Sequence, residues 1–178
     1  MTAVLWRSSE GGSELCVLEQ SGRGWRLRGT VLATSVKEPV EIRYRVDASP
    51  EWETEDAEVL VAFAGGDLRD PVAVGGLWSG KQRPPGFEDC ADVDLGFTPA
   101  TNTLPIRRLR LEVGQEAEIA VVWLRWPELE VERAVQRYAR LAKDRYRFSQ
   151  EEFSAELVVD DDGLVLDYVG LWRAVARA

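Results

Sequence analysis

Hydrophobic and polar residues alternate along much of the chain, which is the pattern of β-strands that bury one face. The alternation is clearest in residues 40–46, where Ile42, Tyr44 and Val46 are separated by charged side chains. Turn-forming glycines, prolines and aspartates separate one alternating stretch from the next. The pattern predicts strands over these ranges: 3–7, 14–19, 25–31, 40–46, 57–64, 72–78, 107–113, 116–126, 153–159, 164–168 and 172–176.

One long stretch departs from the alternation. Between residues 131 and 146 apolar side chains recur at helical spacing, with glutamates near the start and basic residues near the end, as the helix dipole favours. We therefore expect one main helix here, with Arg133, Arg137 and Arg140 along one face, either solvated or in contact with an anionic group. The strands and this helix together predict a mainly β fold, in which the helix covers a strongly curved antiparallel sheet or incomplete β-barrel.

Composition narrows the classes of function. The 178 residues predict a single domain over 1–178, and the net charge of −9 argues against nucleic acid as a partner. The chain has no histidine, which excludes histidine bases and histidine metal ligands, and its two cysteines, Cys16 and Cys90, cannot form a cysteine-rich zinc site. No phosphate-binding or dinucleotide-binding motif is present, so we expect neither a cofactor nor a metal.

The first residues lack the charged start and long apolar core of a secretion signal. No apolar run approaches the length of a membrane span. We therefore expect a cytoplasmic protein without a transmembrane segment, and the sequence leaves its oligomeric state open.

The stretch from Cys90 to Leu109 carries the densest candidate chemistry. Asp92 and Asp94 precede a turn-rich segment containing Asn102, and Arg107 and Arg108 follow it. If 107–113 is a strand, Arg107 shares its apolar face, so we expect Arg107 to be more buried than Arg108 and paired with an aspartate. The same residues would also suit a rigid crossover in which acids and arginines pair.

This stretch, with Asp92-Val-Asp-Leu, Thr98-Pro and Thr101-Asn-Thr-Leu-Pro-Ile-Arg-Arg-Leu109, resembles the signature of a bacterial family of glycolipid-binding proteins. Further pieces match in order: Gly76-Leu-Trp78, Gln136-Arg-Tyr138 and 159–168. The resemblance implies an incomplete antiparallel barrel with helical cover, similar in shape to bacterial lipoprotein carriers, and binding of a glycolipid.

Several readings of the function stay open. The leading hypothesis is a non-enzymatic carrier of an amphipathic ligand in an internal apolar cavity; the alternatives are a carboxylate-dependent hydrolase of a sugar conjugate and a protein-interaction scaffold. Most of the seven tryptophans should pack in the core, and Trp78 is the best exception. The candidate ligand-binding residues are Trp78, Asp92, Asp94, Asn102, Arg107 and Tyr138. The run Asp160–Asp162 is best explained as a turn rather than a cation site.

Overall fold

The computed structural model describes residues 1–22, 24–34, 38–66, 71–74, 77–78, 83 and 85–178. Thirteen strands of this part of the chain form one sheet. The strands are β1 (Thr2–Ser8), β2 (Ser13–Ser21), β3 (Gly24–Thr34), β4 (Pro39–Ala48), β5 (Thr54–Phe63), β6 (Val72–Ala73), β7 (Asp92–Leu95), β8 (Glu116–Leu124), β9 (Val131–Ala142), β10 (Arg145–Gln150), β11 (Phe153–Val159), β12 (Val165–Tyr168) and β13 (Trp172–Arg177). A 3₁₀ turn, Ala100–Asn102, leads into the short helix α1, Thr103–Leu109.

The sheet follows the order β6-β5-β4-β3-β2-β1-β13-β12-β11-β10-β9-β8-β7. It therefore consists of two antiparallel meanders, β1–β6 and β8–β13, which are joined where β1 pairs with β13, and β7 is added beside β8. All neighbouring strands run antiparallel except β7 and β8. The sheet has β6 and β7 at its edges and does not close within the described residues, which confirms the predicted mainly β, strongly curved fold.

The two edges of the sheet nevertheless approach each other. The backbone N–H of Thr54, at the start of β5, donates to the carbonyl of Ala91, with an N–O distance of 2.9 Å. The Thr54 hydroxyl accepts a hydrogen bond from the N–H of Val93 in β7 at 3.1 Å. Thr54 thus ties one end of the sheet to the other, and the curvature encloses most of the apolar core.

The predicted helix over 131–146 is wrong, because these residues form β9 and the start of β10. Gln136 and Tyr138 point to the buried face of β9, whereas Val135 and Leu141 are exposed. Because Gln136 is buried while Val135 and Leu141 are exposed, the apolar residues of β9 do not alternate regularly and instead recur at helical spacing. Arg133 and Arg137 lie on the exposed outer face of the strand and bind Asp89, Glu116 and Glu118.

The predicted strand over 107–113 is also wrong, since α1 occupies its first part. β7 and β8 are parallel, and parallel neighbours need a crossover connection, which the 3₁₀ turn and α1 supply. On a helix the parity argument for Arg107 fails. Arg108, not Arg107, pairs with a buried aspartate, and Arg107 donates to the backbone carbonyl of Asp161.

Other predictions near the ends of the chain are confirmed. β11 and β12 form the predicted hairpin, β13 is the predicted last strand, and Asp160–Gly163 is a turn in which the Asp160 carboxylate accepts from the N–H groups of Asp162 and Leu164. Within the predicted strand 72–78, the described residues form a strand at Val72–Ala73, and residues 75 and 76 lie outside the described part of the chain. Within the described part of the chain, no helix is long and apolar enough to span a membrane.

Candidate functional site

A cleft of about 400 Å³ opens on the sheet beside the 3₁₀ turn. We call it the aromatic cleft, because five of the residues that line it carry aromatic rings. They are Trp123, Phe148, Phe153, Tyr168 and Trp172. The strands β8, β10, β11, β12 and the start of β13 bring these rings together, although they are scattered over fifty residues of sequence.

Three of the rings form a cluster on one wall. The centroids of Phe148 and Phe153 are 6.1 Å apart, and Tyr168 lies 6.1 Å from Phe148 and 6.4 Å from Phe153. Phe148 also packs edge-on against Tyr138 behind it, at 5.3 Å. Such tilted contacts are the preferred geometry of aromatic pairs, so the wall is a fixed surface.

Polar side chains form the floor of the aromatic cleft, and fully buried polar residues hold them from behind. Gln136 donates from Nε2 to Asp94 Oδ2 at 2.6 Å and to Gln150 Oε1 at 2.8 Å. The Tyr138 hydroxyl donates to Asn102 Oδ1 at 2.8 Å, and Thr101 donates to Asp94 Oδ1 at 3.1 Å. Buried polar groups that bond one another in this way hold their side chains in one orientation.

Asp92 and Asp94 differ in their electrostatic surroundings. Asp94 has no cationic partner among the described residues; burial raises its pKa, and the nearby charge of Asp92 adds to that rise. Burial also raises the pKa of Asp92, but the Arg108 guanidinium opposes this through hydrogen bonds of 2.5 and 3.2 Å. Asp92 is therefore part of a structural ion pair, whereas Asp94 faces the cleft.

The structure brings only some of the sequence-predicted site residues together. Asp94 and Asn102 line the aromatic cleft, with Tyr138 directly behind them. Asp92 lies nearby, but its carboxylate forms an ion pair with Arg108. Trp78 is 2% exposed in the core, and Arg107 is on the far side of α1, where its guanidinium lies 5.0 Å from the Trp52 ring.

Sequence reasoning missed most of the cleft wall. Trp123 and Trp172 were assigned to the core by default, and neither is fully buried. Gln136 belonged to a piece of the family signature, but the helix prediction hid its inward orientation. Phe153 is 45% exposed, and the turn with Glu151 and Glu152 directly before it is the sequence feature that could have placed it at the surface.

A second cleft of about 440 Å³ adjoins the first. The two share Gly96, Leu171 and Trp172, and the second, here called the side cleft, continues along Phe97, Trp126 and Pro127. A Cβ atom on Gly96 would lie 2.9 Å from the Leu124 carbonyl oxygen and 3.2 Å from Trp123 Nε1, so this close approach of Gly96 to the end of β8 favours glycine. Both clefts are open to solvent, unlike the internal apolar cavity that we expected.

The comparisons with known proteins agree with this architecture. A family model described as "Putative glycolipid-binding" matches residues 3–174. The chain belongs to this family. The chain is also similar to a solved structure, the crystal structure of a DUF1089 family protein from Pseudomonas aeruginosa, with 31% sequence identity. The alignment covers 94% of each chain, with a TM-score of 0.74. The search of curated proteins found no match.

Proposed function

We propose that the aromatic cleft binds an amphipathic ligand with a sugar-like headgroup and does so without catalysing a reaction. The family description supports a glycolipid-like ligand in general terms. The observation that carries the proposal is local: a polar floor of Asp94, Asn102 and Gln150 lies beneath a wall of aromatic rings.

The two surfaces suit the two kinds of group on a sugar ring. A pyranose presents apolar C–H groups on its faces and hydroxyls around its edge. The rings of Phe153, Tyr168 and Trp172 offer flat apolar area with little loss of side-chain freedom. The carboxylate of Asp94 and the side-chain amides of Asn102 and Gln150 offer acceptors and donors that fix orientation, as in most small-molecule sites.

The side cleft accounts for the amphipathic part of the proposal. It leads away from the polar floor past Leu171 and Trp172 towards Phe97 and Trp126. An alkyl chain attached to the headgroup would bury apolar surface there, which stabilises the complex by roughly 25 cal/mol per Å² of surface removed from water. Headgroup and chain would then meet at Gly96, where the two clefts join.

One observation favours the hydrolase alternative. Asp94 has a raised pKa in a cleft, as a general acid requires, and the rim carries Glu151 and Glu152. Binding explains the geometry better, because both Asp94 oxygens already accept hydrogen bonds from Thr101 and Gln136. These bonds hold the carboxylate as an acceptor for hydroxyl groups.

Calorimetric titration with octyl glucoside below its critical micelle concentration tests the proposal. The variant Phe153→Ala removes an exposed ring from the cleft wall, and we expect about a tenfold weaker association, the usual effect of removing an aromatic anchor. Leu15→Ala is the matched control, since Leu15 is 52% exposed on β2 outside the cleft. Glucose and octanol, titrated separately, should each bind more weakly than octyl glucoside.

The outcomes separate the three functions. Equal affinities of wild type and Phe153→Ala would exclude the aromatic cleft as the site. Release of octanol from octyl glucoside, abolished by Asp94→Asn, would establish the hydrolase. Absence of binding by any of the three probes would favour the scaffold.

A further inference from the structure

A third concave surface lies at the opposite end of α1 from Asn102. It has a volume of about 350 Å³ and is flanked by four cations, Arg107, Arg110, Arg140 and Lys143. We call it the basic cleft. A local excess of positive charge is unexpected in a chain whose formal net charge is −9. The four cations come from three places in the chain: α1 and its end, β9, and the turn after β9.

The two central arginines are held by groups that leave their charge uncompensated. Arg140 donates from Nε and both terminal nitrogens to the backbone carbonyls of Ala142, Leu111 and Lys143. Arg107 donates to the Asp161 carbonyl at 3.1 Å. Carbonyl oxygens orient a guanidinium without neutralising it, so both charges remain available to a ligand.

The acids of the basic cleft do not cancel these charges. Asp160 is bound by Arg177, with an Nε–Oδ2 distance of 2.7 Å. Asp161 faces Lys143 at 3.3 Å, and its side chain is 90% exposed, so solvent weakens that pair. Arg110 has no carboxylate partner in the part of the chain that the structure describes, and it is exposed.

The surroundings fix the position of Arg107 before any ligand arrives. Its guanidinium lies 5.0 Å from the Trp52 ring, and Trp52 stacks on Trp25 at 4.6 Å. A Cβ atom on Gly163 would lie 2.9 Å from Arg107 Cδ, so glycine at position 163 leaves the space that the aliphatic part of Arg107 occupies.

Backbone strain marks the same cleft. Trp52 has φ +72° and Arg110 has φ +49°, values that L-residues with large side chains rarely adopt. Two of the four non-glycine residues with positive φ in the described chain thus line the basic cleft, and the other two, Leu129 and Glu151, lie elsewhere.

We propose that the basic cleft is a binding site for a phosphate group, either free or carried by a lipid headgroup. A phosphate dianion matches the two uncompensated guanidinium charges of Arg107 and Arg140, and arginine pairs with phosphate oxygens through two parallel N–H bonds. Arg110 and Lys143 at the open side supply further charge to the outer oxygens. The site is separate from the aromatic cleft, so it does not depend on the proposed glycolipid function.

Calorimetric titration of the full chain with inorganic phosphate tests the site at low ionic strength, where exposed charges are least screened. The double variant Arg110→Asn/Lys143→Gln removes two exposed charges, and asparagine tolerates the positive φ of position 110. We expect about a tenfold loss of affinity or more, since each charge-assisted hydrogen bond contributes close to that factor. The control Arg137→Gln/Arg147→Gln makes the same change in net charge at exposed positions outside the cleft and should bind as the wild type does.

A second arm identifies the source of the phosphate. Sedimentation with phosphatidylcholine vesicles, with and without phosphatidic acid, compares a lipid phosphate monoester with the neutral headgroup. If inorganic phosphate binds wild type and binds the cleft variant more weakly, the result supports a soluble ligand. Sedimentation only with phosphatidic acid, lost in the cleft variant alone, supports a lipid headgroup. Binding that is equal in both variants, or absent in both arms, overturns the proposal.

Discussion

Glu14 is a single carboxyl group in an apolar core, 1% exposed. Tyr44 and Thr98 donate hydrogen bonds to Oε1, and Oε2 has no partner in the described structure. Burial raises the pKa of Glu14 from 4.5 to about 8. The unfolded chain therefore releases this proton near pH 4.5, whereas the folded protein keeps it, and the contribution of Glu14 to stability is lost as pH rises from 4.5 to 8.

Glu14→Gln removes that titration and keeps the shape of the side chain. We expect the free energy of unfolding of the variant, minus that of wild type, to be about 4 kcal/mol larger at pH 8 than at pH 5, because only wild type loses stability over this range. Urea unfolding at the two pH values measures this difference. A difference that is the same at both pH values would show that Glu14 is ionised in the folded protein.

Two adjacent arginines allow a matched comparison at the same scale. Arg108 compensates Asp92, which is 1% exposed, so Arg108→Ala leaves a buried carboxylate unpaired. We expect a loss of about 3–5 kcal/mol in the free energy of unfolding. Arg107→Ala loses a cation–π contact and one hydrogen bond to a carbonyl, and should cost about 1 kcal/mol. Urea midpoints of equal value for the two variants would contradict this assignment.

At the scale of elements, β4 was predicted correctly because its hydrophobic and polar residues alternate regularly. β9 was predicted as a helix because a polar residue is buried and apolar residues are exposed along it. Gln136 points inward because it bonds Asp94 in the cleft, a long-range reason that a local pattern does not contain. The helix α1 was missed for a similar reason. Its seven residues contain a proline, and the parallel pairing of β7 with β8 imposes the crossover.

The strand assignment of β9 is itself testable. On a strand, Val135 and Leu141 are solvent-facing, with 41% and 37% exposure. We expect Val135→Thr/Leu141→Thr to change the free energy of unfolding by less than about 0.5 kcal/mol per site, because threonine suits an exposed strand position. On a helix that used these residues to cover the sheet, the same pair would cost several kcal/mol. Thermal and urea unfolding distinguish the two results.

At the scale of the whole molecule, the approach of β5 to β7 depends on Thr54. Thr54→Val keeps the size of the side chain but leaves the Val93 N–H without its acceptor, and we expect a loss of about 1–3 kcal/mol in the free energy of unfolding. Thr103→Val is the matched control. The Thr103 hydroxyl is buried with no partner in the described structure, so its removal should be neutral or stabilising. If urea unfolding shows that Thr103→Val loses more free energy of unfolding than Thr54→Val does, the role assigned to Thr54 is wrong.

The pairing of β1 with β13 joins residues from opposite ends of the sequence, such as Val4 and Arg177. Each meander can form from hairpins with short turns. Pairing β1 with β13, in contrast, closes a loop of nearly the whole chain, which has a large entropic cost. The junction should therefore form late in folding. Until it does, β1 and β13 each present an unpaired edge, and two partly folded copies can satisfy those edges by exchanging halves rather than by closing within one chain.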